Sequence, residues 1–201
     1  MEKIILSGMP EPMLQPLYAR AKESQTHGAI HDDTAVRLVQ QLDYNFDFSS
    51  KDAAMHNGVI ARALVLDKLV STYLAQHPGA VVIGCDTVVD VKGEVFGKPH
   101  SVEDARRMLR ALSGAVHEVH TGVCISDGTR TERFVDTCRV KFFPISEAEI
   151  ERYAATEEPY DKAGAYAIQG RAALWLARIE GDYYTIMGLP VSRTIRLLER
   201  F

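Results

Sequence analysis

Residues 81–99 read VVIGCDTVVDVKGEVFGKP. Valine and isoleucine runs of this kind favour strands, and Lys92-Gly93 is a turn signal that folds the chain back onto Glu94-Val95-Phe96. The segment therefore predicts a β-hairpin. Asp86 stands out in its middle, because a carboxylate withdrawn from water is costly unless a cation or hydrogen-bond donors face it. Two readings follow. Either Asp86 meets a lysine, an arginine or a divalent metal, or it bonds to local amides at a strand end. Gly84, two residues earlier, marks a bulge or a close approach by another group.

Outward from this hairpin the pattern alternates between strands and helices. VHTGVCIS (119–126) turns at Asp127-Gly128 into a strand expected to run to Phe143. Between the hairpins, SVEDARRMLRALSG (101–114) carries a capping box, Ser101 with Asp104. Its apolar face is Val102, Ala105, Met108, Leu109 and Leu112, and Gly114 closes the helix. Ser146 with Glu149 opens a further helix through Tyr153. AALWLARI (172–179) reads as a strand, and VSRTIRLLERF (191–201) as a C-terminal helix opened by Pro190.

Towards the N-terminus, KIIL (3–6) is a short strand candidate. Residues 9–34 carry Pro10, Pro12 and Pro16 and look like an atypical, insertion-like excursion with one helix around 13–22. AVRLVQQL (35–42) suits a short helix, and YNFDF (44–48) alternates like a strand. A long helix follows, with Val59, Ala63, Leu66, Leu69, Val70 and Tyr73 as its apolar face and His77-Pro78-Gly79 as its stop. The fold class is α/β with a mixed sheet flanked by helices, in a single domain over 1–201.

Composition bounds the function. The chain has 201 residues, 46% hydrophobic and 25% charged, with a formal net charge of −4. A chain with that balance has no global attraction for nucleic acid, so a phosphate-bearing ligand needs a local basic pocket or a metal. No apolar run approaches a membrane span. The cysteines, Cys85, Cys124 and Cys138, are few and widely spaced, which suggests neither a disulfide framework nor a zinc site. A reducing, cytoplasmic location is the expectation.

Other segments could carry chemistry. Gly97-Lys98-Pro99 fixes an ammonium on a loop, where it can meet a phosphate as a point charge. DKAGAYAIQG (161–170) packs Lys162 and Gln169 among small residues, and Gln169 offers both donor and acceptor to a base edge. Bland alternatives stand beside these: a solvated turn lysine and a strand-end glutamine. His117 and His120 are three apart, so on a strand they point to opposite faces and share no metal. GxxxxGK, GxGxxG and GxSxG are all lacking.

Taken in order, IGCDTVV, GKP, LSGAVHEVHTGV, EPYDKAGAYAIQG and IEGDYYTIMGLP resemble the successive motifs of the Maf family of nucleoside triphosphate pyrophosphatases, from about Leu42 to the C-terminus. The resemblance implies an elongated sheet in two lobes with a cleft between them. It also implies hydrolysis of a nucleoside triphosphate to the monophosphate and pyrophosphate, with magnesium or manganese as cofactor and commonly a homodimer. Residue by residue, Asp86 looks like the catalytic proton acceptor and metal-binding acid. Thr87 and Gln169 match positions linked to base selection. Lys98, Lys162 and Lys68, on the long helix, match lysines near the phosphates, and Ser7 matches the first serine of the opening SxSPRR motif. The DT after IGC and the KAGAYAIQG run resemble the branch acting on dTTP and UTP. An inosine triphosphate pyrophosphatase is the weaker match, since its motifs are not found.

The departure from the family lies at SGMPEP (7–12), where Glu11 and Pro12 replace the two arginines and the next helix is expected to be delayed to near Arg37. An arginine fork binds phosphate oxygens bidentately, whereas a glutamate repels them. The alternative function is therefore a catalytically weakened nucleotide-binding regulatory or interaction protein.

Overall fold

The computed structural model describes residues 11–26, 28–47 and 53–201. The KIIL strand, Ser7 and the head of the SGMPEP motif lie outside the described residues. The chain divides into two compact units, Met1–Ala80 and Val81–Phe201.

The first unit is helical: α1 (Glu11–Thr26), α2 (Asp33–Gln41) and α3 (Ala53–Gln76). Ala19 of α1, Ile30, and Val59, Ile60 and Ala63 of α3 form its buried core. Asp32 caps α2, accepting the Ala35 amide at 2.9 Å, and the same carboxylate takes the Arg20 guanidinium at 2.7 Å. α1 thus starts at Glu11, so a helix is not delayed to Arg37 as the sequence suggested, and it runs longer than the expected 13–22. YNFDF is not a strand over its described residues. Instead Phe46 stacks on Tyr18 of α1 at 4.9 Å and meets Tyr44 edge-on, so aromatic packing overrides the alternating pattern. The apolar stripe of α3 is used only at its start: Val59 and Ala63 are buried, but Leu66, Leu69, Val70 and Tyr73 are exposed.

The second unit is a five-stranded sheet in the order β2-β1-β3-β4-β5. Its strands are β1 (Val82–Val91), β2 (Glu94–Phe96), β3 (Val116–Ser126), β4 (Thr131–Phe142) and β5 (Leu176–Glu180). The sheet is flanked by helices as the α/β class expects, and every pairing among the described residues is antiparallel. Successive hairpins explain this, since antiparallel neighbours need only short turns. Lys92 and Gly93 both take positive φ, 55° and 87°, as the first hairpin turn requires. In the second turn Asp127 Oδ1 accepts the amides of Thr129 and Arg130 at 2.8 and 2.7 Å.

Alternation along the strands separates two faces. Val89, Val91, His117, Val119, Thr121, Val123, Ile125, Cys138, Val140 and Phe142 lie on the buried face. Helix α4 (Val102–Leu112) covers it with Ala105, Met108, Leu109 and Leu112, the face read from the sequence except for Val102, which is exposed at the first turn. Helix α5 (Glu147–Ala154) adds Ile150, Tyr153 and Ala154 and carries the expected Ser146–Glu149 capping box. The AALWLARI strand begins only at Leu176, because Arg171–Trp175 is a 3-10 turn that drives Trp175 into the core. Helices α6 (Tyr183–Met187) and α7 (Val191–Leu198) complete the unit.

His117 sits in this core, 1% exposed, with Nε2 2.8 Å from Tyr166 Oη and Nδ1 without a partner among the described residues. Burial pushes its pKa down to about 4. Below the imidazole's unperturbed pKa the unfolded chain takes up a proton that the folded chain refuses. Stability is therefore full above about pH 6.5, falls as pH drops towards 4 and levels off below, a loss of about 3 kcal/mol. Urea unfolding across this range should show a markedly shallower acid slope for His117→Gln than for the parent. Equal slopes would contradict a neutral, buried His117.

Candidate functional site

The β1–β3 register sets the surroundings of Asp86. Asp86 pairs with Gly122, Gly84 with Cys124, and Thr87 with Thr121. Asp86 therefore shares the open face of the sheet with Gly84 and Gly122, while Thr87 points to the opposite face. A Cβ built on either Gly84 or Gly122 meets nothing within 4 Å. The carboxylate thus has a glycine before it on the same face of its own strand and another directly across. These residues belong to an open concavity of about 620 Å³, lined also by Cys124, Arg133 and Val135, in the size range of small-molecule sites.

Asp86 is exposed, so the strand is not built for burial at this point. Burial begins only at Val89. Of the two readings of Asp86, the local one is seen among the described residues: its Oδ1 accepts the Thr87 amide at 2.9 Å. Among the described residues it forms no ion pair with lysine or arginine. Its Oδ2 is open to a ligand.

The outer edge of β1 matters equally. β2 pairs only with Val89–Val91, so Val82–Val88 has no strand partner on that side among the described residues. Lys98 leaves the ladder two residues beyond Phe96, the partner of Val89, and so departs beside the Thr87 end of this edge. Gly164 anchors the next segment there: its amide donates to Gly97 O at 3.0 Å, and its Cα lies so close to Val89 that a Cβ would come within 3.0 Å of that side chain. A left-handed φ of 71° at Gly164 further favours glycine. This docking brings Lys162 and Lys98 to one carboxylate. Lys162 Nζ donates to Asp161 Oδ2 at 2.6 Å, and that bond, with Lys98 nearby, holds the Asp161 pKa below its ordinary value.

The remaining expected residues are more scattered. Gln169 is exposed in the loop after Ile168. Lys68 lies exposed on α3 in the first unit. His117 and His120 point to opposite faces as read, with His120 Nδ1 2.9 Å from Thr137 Oγ1. Among the described residues no cluster of three or more His, Cys, Asp or Glu could hold a metal. No helix among them is long and apolar enough to cross a membrane.

Sequence reasoning missed a chain of hydroxyls behind Thr87. Thr87 Oγ1 lies 2.8 Å from Thr121 Oγ1, and Thr121 donates to the Thr185 carbonyl at 2.6 Å. The Thr185 hydroxyl donates to Asp136 Oδ2 at 2.6 Å, and Arg193 grips Asp136 Oδ1 at 3.0 Å. Thr121 and Thr185 both fall in motifs quoted above, so their positions were visible but their partners were not.

Comparison with known proteins gives the same direction. The chain is 53% identical over 128 residues to the dTTP/UTP pyrophosphatase of Bacillus velezensis, covering 64% of this chain and 68% of the relative. It is 43% identical over 150 residues to that of Shouchella clausii, covering 75% and 78%. It is 52% identical over 124 residues to that of a Geobacillus strain, covering 62% and 67%. Residues 30–201 match the family described as Maf-like protein, and the chain belongs to that family.

Proposed function

We propose that this chain hydrolyses a nucleoside triphosphate to the monophosphate and pyrophosphate, with dTTP and UTP as preferred substrates. The observation that carries the reading is the exposed Asp86 carboxylate beside Gly84 and Gly122, near a β1 edge that has no strand partner over Val82–Val88 among the described residues and that Lys98 and Lys162 flank. The relatives' names supply the substrate class.

The geometry suggests how the nucleotide lies. A triphosphate lies on the open face near Asp86, while the base turns around the edge of β1, which has no strand partner over Val82–Val88 among the described residues, towards Thr87 on the other face. Lys98 and Lys162 neutralise phosphate oxygens at that edge, exchanging Asp161 for the ligand. Gln169 reads the base with its amide. Asp86 accepts a proton from the attacking water as the new phosphorus–oxygen bond forms. The bridging phosphoanhydride bond then breaks, and pyrophosphate leaves with its electron pair. General-base help of this kind is worth about 10²–10⁴ in rate.

Asp86 would be the residue of this set that holds a divalent cation, since magnesium takes oxygen ligands. When bound, it supplies Lewis-acid screening of the triphosphate charge.

Pyrophosphate release from UTP with magnesium should fall by at least about 10²-fold in Asp86→Asn, with thermal unfolding unchanged. Normal turnover by that variant would remove Asp86 from the mechanism. Gly122→Val should keep the fold, since valine suits a strand and nothing crowds the site. Its branched side chain would stand directly beside the carboxylate and raise KM for UTP at least about tenfold, roughly one lost polar contact. An unchanged KM would show that the substrate does not use this face.

A further inference from the structure

The hydroxyl chain behind Thr87 fixes where protons point, and that bears on which base the site accepts. The Thr185 carbonyl already accepts the Gly188 amide at 3.1 Å and the Thr121 hydroxyl at 2.6 Å. A carbonyl cannot donate, so the single proton of Thr121 Oγ1 is committed to it. Thr121 is fully buried, at 0% exposure, so no water competes for that proton. The contact of 2.8 Å between Thr87 Oγ1 and Thr121 Oγ1 then has only one consistent direction: Thr87 donates and Thr121 accepts. Thr87 has no second proton. To anything that approaches from outside, its oxygen is an acceptor only.

Thr87 is half-buried and so keeps some access from outside, and Gly188 lies alongside, where a Cβ would come into van der Waals contact 3.5 Å from the hydroxyl oxygen. Gly188 has φ 101°, so the backbone there favours glycine and keeps this side clear. The Thr185 hydroxyl, tied to Asp136, and Asp136, tied to Arg193, hold the α6 turn that supplies the carbonyl.

We propose that Thr121 is a positioning residue for base selection: by taking the Thr87 proton it presents Thr87 as a pure acceptor, which favours uracil and thymine over cytosine. Uracil and thymine carry a donor, N3–H, in the middle of the pairing edge. Cytosine carries a lone pair there, which would meet the Thr87 lone pairs. The 5-methyl group that separates thymine from uracil is remote from N3, so this device does not distinguish them. The inference rests on the reading of Thr87 as a base contact under Proposed function. It adds the residue that sets the polarity of that contact.

The test is calorimetric binding of the α,β-imido analogues of UTP and CTP, which keep base and charge but resist cleavage at the α,β bridge. Binding is thereby separated from pyrophosphate release. The parent should bind the uridine analogue at least about tenfold more tightly, the worth of one hydrogen bond. Thr121→Val removes the acceptor and lets Thr87 turn its proton outward, so the two analogues should bind within about threefold of each other. Thr121→Ser keeps the hydroxyl and should restore the preference, an outcome that loss of packing alone does not produce. Should valine prevent folding, Thr121→Cys, whose thiol is a weak acceptor, is read in the same way.

A preference retained in the folded valine or cysteine variant overturns the proposal, as does equal binding of both analogues by the parent. Thr87→Val separates the two levels of inference. If it abolishes the preference while Thr121→Val does not, Thr87 reads the base without help from Thr121. If neither changes it, Thr87 is not a base contact at all.

Discussion

The pairing of β1 with β3 is the constraint on which the candidate site depends. Because the register is continuous from Val82 to Asp90, each residue of β1 has a fixed partner and a fixed face. Asp86 falls opposite Gly122, and Gly84 falls two residues away on the same face. A slip of one residue would put the carboxylate among the buried valines and the glycines out of its reach. Burial of Val89, Val91, Val119 and Val123 prevents that slip. The apolar core of the second unit thus fixes a polar site on its other face.

The same register creates an asymmetry around a single strand. Asp86 and Thr87 are neighbours in sequence, yet they project to opposite sides of the sheet. A ligand can use both only by passing around the edge of β1, and among the described residues β2 leaves that edge without a strand partner beyond Val89. The GKP loop and the Lys162–Gly164 turn converge on this edge through the Gly97–Gly164 hydrogen bond. The glycine at 164 is thus a structural requirement for bringing the Lys98 and Lys162 segments together, and the ammonium groups follow from it.

Much of this was legible in the sequence, and the reasons differ by region. The hairpin at Lys92-Gly93, the α4 face and the α5 capping box are local signals, and local geometry realised them. Asp86 was singled out because a charge inside a valine run is anomalous, although its environment proved open and its partner a neighbouring amide. The exposed face of the sheet was not legible, because Gly84 and Gly122 come together only through strand pairing. The threonine chain was not legible for the same reason: Thr87, Thr121 and Thr185 are separated by 34 and 64 residues. In the first unit, Tyr44 and Phe46 alternate like a strand, but stacking on Tyr18 decided their conformation.

The most direct measurement of the central claim is a crystal structure with magnesium and the α,β-imido analogue of UTP bound. The account predicts phosphate oxygens over Gly122, close to Asp86 Oδ2, with the uracil around the β1 edge against Thr87 Oγ1. A triphosphate bound elsewhere, with Asp86 still facing solvent, would contradict it.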